Sequence, residues 1–212
     1  MSKLQPIVTL PDWWIDRCHR WAEDFVAERE RMRAEGVHTR STELARMGIE
    51  RDPAKIAHSK MDEVAAAMCF GVDPLTQLNW QLIPDDGLDF KTGKLRVDVK
   101  GSHFGSEYLI WPQWKNEFFD KAGFDVMVFV QHHAPFRFRL NGWTAKGFFR
   151  LHHEVAGYHH KLLRGTWHLH EDRLWDMREI LPADPPSQWE NIISCWNVDA
   201  VTVGRTSTAT RE

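Results

Sequence analysis

The spacing of the apolar residues changes at Asp73-Pro74, and this change limits the architectures open to the chain. Over residues 13–34, apolar side chains recur every three or four positions, as on one face of an α-helix. Asp52-Pro53 then forms a typical helix start, with a capping carboxylate and a proline in the first turn, and Gly71 forms a typical end. We therefore predict two long helices before the change and a sheet after it.

After the change, the sequence has the short apolar segments and turn signals of β-strands. Residues 125–130 form an apolar run typical of a central strand, and residues 136–140 alternate like a more exposed strand. We also expect a strand at 78–83, a hairpin formed by 88–90 and 95–100, and a short helix between 143 and 153. The predicted fold class is α+β, close to an α/β/α arrangement, with a central mixed β-sheet flanked by helices.

Length and composition favour one domain with a substantial core. The chain has 212 residues, of which 42% are hydrophobic and 27% charged, and a domain has about 150 residues on average. We assign residues 1–203 to a single domain, with a helical N-terminal part at 12–50 and a C-terminal part rich in Trp and His at 143–200. The small polar residues from 204 to 212 predict a flexible tail.

Charge and cysteine content exclude several classes of protein. The net charge is −3, so the chain is not a polycation that coats nucleic acid, although a local basic face could still contact phosphates. Cys18, Cys69 and Cys195 lie far apart and are odd in number, which fits neither a zinc knuckle nor a full disulfide framework. No apolar run reaches the roughly 18 residues of a membrane helix, and the first residues lack the apolar core of a secretion signal. We expect a cytoplasmic protein without membrane contact.

The segment Leu95-Arg96-Val97-Asp98-Val99-Lys100 carries the most informative pattern. Strand alternation places Asp98 and Lys100 side by side on one face and the three aliphatic residues on the other. A carboxylate in such an apolar strand is costly unless it is paired or bound to a metal. The common alternative is an exposed salt-bridged pair on an edge strand.

A second carboxylate reaches the same face through the hairpin. If the turn is centred on Thr92-Gly93, Asp89 lies opposite Arg96. It is then one diagonal, about 7–8 Å, from Asp98. Mg²⁺ needs only one or two protein carboxylates, since waters and a substrate phosphate complete its coordination shell. Lys100 is then placed to orient the attacking water or to offset charge on the phosphorus.

The predicted second helix supplies a further carboxylate, that of Glu63. It lies in the same helical stripe as three apolar residues, Ile56, Ala67 and Phe70. A carboxylate buried in such a stripe needs a partner.

The order Glu63 in a helix, Asp89 in a strand and Asp98-Val99-Lys100 in the next strand resembles the PD-(D/E)XK nuclease superfamily, which has the restriction-endonuclease-like fold. The resemblance covers roughly residues 55–131. It implies that Asp89 and Asp98 bind Mg²⁺, for which Mn²⁺ substitutes. It also implies that Lys100 acts on the attacking water or on developing charge, and that Glu63 is an auxiliary metal ligand.

Two features affect the assignment within this superfamily. A literal Pro-Asp occurs at Pro84-Asp85, but Asp89 is the preferred first acid because it falls in a strand rather than in a turn. After Lys100, no glutamine is followed four residues later by tyrosine, which is a pattern of the RecB-like exonuclease branch. The resemblance therefore favours an endonuclease of the restriction or phage type.

Other patterns have weaker chemical interpretations. Trp111 and Trp114 are more typical of core packing than of stacking on an extruded base. Several histidines lack the companion residues of a zinc centre or of a His-metal nuclease finger. We interpret them as exposed or hydrogen-bonded side chains: His132-His133, His152-His153, His159-His160, His168 and His170.

The resemblance implies a Mg²⁺-dependent DNA nuclease that hydrolyses phosphodiester bonds and leaves a 5′-phosphate, and this is the predicted function. A homodimer is compatible with it. The candidate DNA contacts lie in the hairpin and in the loop after Lys100, namely Lys91, Lys94, Arg96, Ser102, His103 and Ser106. One alternative is an exonuclease or junction-resolving member of the same superfamily. An alternative of another class is a non-catalytic DNA-binding or assembly module on a nuclease-like fold.

Overall fold

The computed structural model describes residues 3–36, 52–82, 88–102, 106–158 and 160–196. Within these ranges the helices are α1 (Asp12–Ala34), α2 (Pro53–Cys69), α3 (Pro74–Gln77) and α4 (Lys146–His152). The strands are β1 (Ile7–Thr9), β2 (Phe90–Thr92), β3 (Leu95–Ser102), β4 (Tyr108–Trp111), β5 (Val126–Ala134), β6 (Arg137–Ala145), β7 (Glu154–Val155), β8 (Trp167–His170) and β9 (Ile193–Ser194).

Six of these strands form a mixed sheet in the order β2-β3-β5-β6-β1-β9. β3 and β5 are parallel, whereas each of the other neighbouring pairs is antiparallel. β1 lies between β6 and β9, so residues from both ends of the described chain share one edge of the sheet. The predicted α+β class is confirmed, and β5 is the central strand expected at residues 125–130.

The two faces of the sheet are covered by different elements. On β5, Val126, Val128 and Val130 belong to a core cluster that includes α1 and α2. Met127 and Phe129 alternate with them and belong to a second cluster, with residues of β4, β8 and α4. β4, β8 and β7 form a separate antiparallel sheet of three strands. Two long helices therefore cover one face, while a small sheet and α4 cover the other.

α2 forms as its sequence predicts. The Asp52 carboxylate accepts a hydrogen bond from the Ala54 backbone N–H at 3.1 Å, and Pro53 occupies the first turn. Further along the helix, the consecutive alanines at 65–67 are fully buried, and α2 packs against β3. The small side chains allow this close packing, which brings the acidic residues of α2 near the sheet.

One predicted strand is wrong. Over the described part of residues 78–83, the chain is irregular, because α3 begins immediately before it at Pro74. The Asp73 carboxylate caps this short helix by accepting from the Leu75 N–H at 3.0 Å. Residues 37–51, residues 83–87 and the predicted tail at 204–212 lie outside the described residues. None of the described helices is both long and apolar enough to span a membrane.

Candidate functional site

The β2–β3 hairpin brings Asp89 beside Asp98. The turn consists of Gly93-Lys94, one residue later than predicted. The predicted pairing of Asp89 with Arg96 is therefore wrong, because β2 is shifted by two positions along β3. The Asp89 N–H donates to the Val97 carbonyl at 3.1 Å, and continuation of this pairing places Asp89 across from Asp98 rather than on the diagonal.

Asp98 and Lys100 form an ion pair inside the sheet. Lys100 Nζ lies 2.5 Å from Asp98 Oδ1, and the two side chains are 16% and 3% exposed. β2 pairs with β3 only as far as Val97, so β5 is the strand that pairs with Asp98 and Lys100. The alternative of an exposed salt-bridged pair is excluded because both side chains are largely buried.

Two aromatic residues lie next to Lys100. The Trp111 ring on β4 lies 5.3 Å from Lys100 Nζ, and Phe129 is the neighbour of Lys100 on β5. Burial alone lowers the pKa of Lys100, but the charges of Asp98 and Asp89 outweigh burial and raise this pKa above its ordinary value. Lys100 therefore carries a positive charge at neutral pH.

The Asp89 carboxylate is fixed by the backbone of β3. Its Oδ2 accepts a hydrogen bond from the Val99 N–H at 2.5 Å. The residue remains partly accessible, yet burial of the carboxyl group raises its pKa well above the usual range, and the charges of Glu63 and Asp98 raise it further. The Lys100 charge and the Val99 N–H act in the opposite direction. The carboxylates of Asp89, Asp98 and Glu63 thus repel one another at this place. A bound divalent cation would relieve this repulsion.

Glu63 has the partner that its burial requires. Glu63 forms an ion pair with Lys60, one helical turn earlier on α2, and their side chains are 14% and 4% exposed. Lys60 also donates to the Asn79 carbonyl at 2.9 Å and lies 4.5 Å from the centre of the Trp21 ring. Sequence analysis did not identify Lys60, although a spacing of three residues on one helix is the signal for such a pair.

The candidate DNA contacts fall into two groups. On the hairpin, Lys91 and Lys94 are exposed, whereas Arg96 forms two short hydrogen bonds to the Asp125 carboxylate, at 2.6 and 3.0 Å. This contact, more than any other, lowers the pKa of Asp125. After Lys100, Ser102 and Ser106 are partly buried, and His103 lies outside the described residues. Trp111 is a core residue, as predicted, while the Trp114 side chain is not among those described.

A second polar cluster joins α2 to β5, and the sequence analysis does not connect its members. His132 Nε2 lies 2.8 Å from Asp62 Oδ1, and the His58 ring stacks on the His132 ring with centroids 5.0 Å apart. Burial raises the pKa of Asp62 to about 6, although its hydrogen bond with His132 acts in the opposite direction. His58 and Asp62 are four residues apart on α2, and this spacing was the available signal.

The structure thus places Asp89 against the strand that carries the Asp98–Lys100 pair, and the Glu63 charge acts on both Asp89 and Lys100. Each acid contacts a different partner, namely an ammonium group or a backbone N–H. Among the described residues, no group of three or more His, Cys, Asp or Glu side chains is arranged to hold a metal ion. The donor set nevertheless fits a hard cation that keeps several waters, because two carboxylates satisfy its demand for protein oxygens. No family model, curated protein or solved structure matches the chain.

Proposed function

We propose that the chain is a Mg²⁺-dependent DNA nuclease of the PD-(D/E)XK type that cleaves phosphodiester bonds internally. The observation that carries the proposal is the Asp98–Lys100 pair, which is buried in the sheet beside the Asp89 carboxylate. Burial of an ion pair costs more desolvation than an apolar pair of the same size. A carboxyl group such as Asp89, whose pKa is raised by burial and by neighbouring carboxylates, is typical of sites that perform chemistry.

The residues take the following roles in this proposal. Asp89 and Asp98 would hold the cation. Glu63 would be an auxiliary ligand once its carboxylate moves away from Lys60. When bound, Mg²⁺ polarises the phosphate and lowers the pKa of a coordinated water. Lys100 is held two residues from Asp98 on the rigid strand β3, so its ammonium group is placed to orient the water or to stabilise charge on the phosphate.

The hairpin supplies positive charge beside this site. Lys91 and Lys94 are exposed on the strand and turn that carry Asp89 toward Asp98. Such lysines attract the phosphate backbone without reading sequence. We propose DNA as the substrate and the cytoplasm as the location, and a homodimer remains compatible with the site.

The test is cleavage of supercoiled plasmid by the full chain with Mg²⁺, with Mn²⁺ and with EDTA. We expect nicked or linear product only when a divalent cation is present, and none from Asp98→Asn. Asp125→Asn is the matched control, because Asp125 is also an aspartate in an ion pair, but its side chain is 38% exposed whereas that of Asp98 is 3% exposed. Cleavage in EDTA, or cleavage by Asp98→Asn at the wild-type rate, would contradict the proposal.

One observation favours the non-catalytic alternative. Asp98 and Glu63 are each neutralised by a lysine on their own element, as in a site that only supports the fold. A DNA-binding module of this kind would bind plasmid but leave it intact with every divalent cation. Its affinity for DNA would also be unchanged by Mg²⁺.

A further inference from the structure

The loop between β7 and β8 folds back over the outer face of the small sheet. Residues 157–158 and 160–165 of this loop are described. On β8, His168 alternates with two residues of the core and therefore points to the outer face, as Tyr108 does on β4. The centre of the His160 ring, from the loop, lies 4.4 Å from that of the His168 ring and 5.3 Å from that of the Tyr108 ring. The loop therefore covers this face through His160.

The hydrogen bond of the His160 side chain requires the neutral form of its ring. His160 Nδ1 accepts from the Leu162 N–H at 3.0 Å. An imidazole nitrogen accepts a hydrogen bond only when it carries no proton, so the ring proton is on Nε2. Protonation of the ring would turn Nδ1 into a second donor directed at the Leu162 N–H. The contact that fixes the ring would then be lost.

His168 resists protonation because it is buried beneath the loop. The residue is 3% exposed. Burial lowers the pKa of His168 below its ordinary value of 6.5, and the charges of His160 and His153 lower it further. The Thr166 carbonyl and the Glu154 carboxylate act in the opposite direction but do not outweigh burial. Two protonated rings in contact would also repel each other.

The carboxylates beside the two rings are too exposed to stabilise added positive charge strongly. Glu154 Oε2 lies 3.9 Å from His168 Nε2, but the Glu154 side chain is 70% exposed and is equally close to Arg173. The Glu107 carboxylate is paired with Lys161 at 3.2 Å, and both of these side chains are more than half exposed. Exposed pairs of this kind contribute little, because water screens them.

His170 adds a third titratable ring to the same face. Its centre lies 5.3 Å from the centre of the Tyr108 ring, which the other two histidine rings also contact. His170 Nδ1 accepts from the Asp172 N–H at 3.2 Å, so this contact also requires a neutral ring. The Asp172 carboxylate is 3.3 Å from Nδ1 but 85% exposed. A proton taken up anywhere on this face therefore adds to the repulsion within it.

The loop exposes its apolar side chains instead of packing them. Two hydrogen bonds of 2.9 Å close its base, from the Ala156 N–H to the Thr166 carbonyl and from the Gly165 N–H to the Ala156 carbonyl. Beyond this base, Tyr158 is 76% exposed and Leu163 is 65% exposed. A segment that buries little apolar area opens at a small cost in free energy. Loss of the contacts of one anchoring ring is then enough to open it.

We propose that this loop is a pH-sensitive switch, closed while His160 and His168 are neutral and open once they take up protons. A proton that binds only to the open form shifts the equilibrium toward that form as pH falls. The open form of His168 titrates at the ordinary value of 6.5, so opening begins below this pH. Each such proton raises the ratio of open to closed loop up to about tenfold per pH unit. The proposal does not depend on the nuclease function.

The experiment measures hydrogen exchange of the peptide that covers residues 157–166, by mass spectrometry at pH 8 and at pH 5.5. The wild type is compared with His160→Asn, because the Asn oxygen accepts from the N–H two residues on but does not titrate. Comparison at equal pH cancels the effect of pH on the exchange chemistry. We expect equal exchange at pH 8 and up to about tenfold faster exchange of the wild type at pH 5.5, the effect of one proton. Equal exchange at pH 5.5 would overturn the proposal.

Further measurements separate the switch from a general loss of stability. His160→Ala has no acceptor for the Leu162 N–H, so its loop should exchange faster than that of the wild type at pH 8 as well. His152→Asn is the matched control, because His152 is exposed on α4 and should retain the wild-type response. A response lost equally in His152→Asn would overturn the proposal. Exchange of β5 should stay slow at both pH values, and acceleration of β5 together with the loop would mean that the whole chain unfolds and that no local switch exists.

Discussion

The Val99 N–H donates to the Asp89 carboxylate at 2.5 Å, at a point on β3 that lies beyond the last pair with β2. A side chain thus replaces a strand partner. The same contact holds Asp89 next to the strand that carries Asp98 and Lys100. Asp89 therefore has a structural role in addition to its proposed chemical one, and suitable substitutions separate the two.

We expect Asp89→Asn and Asp89→Ala to differ in stability but not in activity. Both remove the charge that binds the cation, so cleavage should fall about 10²-fold or more in each. The Asn amide oxygen still accepts from Val99, whereas Ala leaves that N–H without its acceptor and should cost about 1–3 kcal/mol in the free energy of unfolding. Urea unfolding of both variants measures the difference. Equal stability would show that the hydrogen bond contributes nothing.

The literal Pro-Asp pair provides a related test. Asp85→Ala should be nearly silent in the plasmid assay, since Asp89 is the acid that faces Asp98. If Asp85→Ala abolished cleavage and Asp89→Asn did not, the metal site would have to include Asp85 instead.

Lys100→Met should reduce the rate of cleavage without reducing metal binding. Methionine keeps much of the length and packing against Trp111 but removes the ammonium group. Single-turnover cleavage should fall about 10²-fold or more. Mn²⁺ affinity measured by calorimetry should hold or increase, because a positive charge beside Asp98 has been removed. Lost Mn²⁺ binding with unchanged cleavage would make Lys100 a structural partner only.

Lys60→Met should destabilise the chain and release Glu63. The variant leaves a buried carboxylate without its buried ammonium partner, which typically costs about 3–5 kcal/mol. A divalent cation supplies a new partner for Glu63, so Mn²⁺ should raise the melting temperature of Lys60→Met more than that of the wild type. Lys55→Met is the matched control on α2, because Lys55 is 61% exposed. An equal effect of Mn²⁺ on all three proteins would place Glu63 outside the metal site.

Gly101→Ala should be strongly destabilising for a specific steric reason. Its Cβ would overlap the Asp62 carboxylate, and overpacking of this kind costs about 1–3 kcal/mol. The cost should be smaller when Asp62→Ala is also present, because the obstructing carboxylate is then absent. A double-mutant cycle measured by urea unfolding gives this coupling. Additive effects of the two substitutions would show that the overlap is relieved elsewhere.

The Asp62 carboxyl group should make the free energy of unfolding decrease as pH rises, whereas a carboxyl group with a lowered pKa has the opposite effect. The pKa of Asp62 is raised from 3.8 to about 6, so between these values the folded chain holds a proton that the unfolded chain has released. The free energy of unfolding of the wild type should therefore decrease, relative to that of Asp62→Asn, as pH rises through this window. Urea unfolding at several pH values from 4 to 7 measures this difference. A difference that grows with pH would mean that the pair with His132 lowers the pKa instead.

The sequence predicted the acidic face of the hairpin in spite of an error in its register. Strand alternation has a period of two, so a shift of two positions moves Asp89 along β3 but keeps it on the same face as Asp98. The segment at 78–83 was mistaken for a strand because a short apolar run does not distinguish a strand from irregular chain that packs on a core. Leu78 is buried in this way.

Long-range pairs lay beyond the reach of local patterns. Asp62 and His132 are 70 residues apart, and no spacing in the sequence connects them. The Lys60–Glu63 pair is local, but nothing in its spacing shows that both groups are buried. The sequence-based prediction therefore omitted the Lys60 ammonium group, which neutralises Glu63. It also omitted the neighbouring pair of Asp62 and His132.

The position of β1 has a consequence for synthesis on the ribosome. Ile7 pairs with Arg139 on one side and with Ser194 on the other. Ser194 is the last of these three residues to be synthesised. At about 5–20 residues per second, translation takes roughly 3–11 s to pass from Arg139 to Ser194. During that interval β1 has a bare outer edge, and such edges pair readily with other chains. Nascent chains that pause before residue 193 should therefore be the species most prone to aggregate.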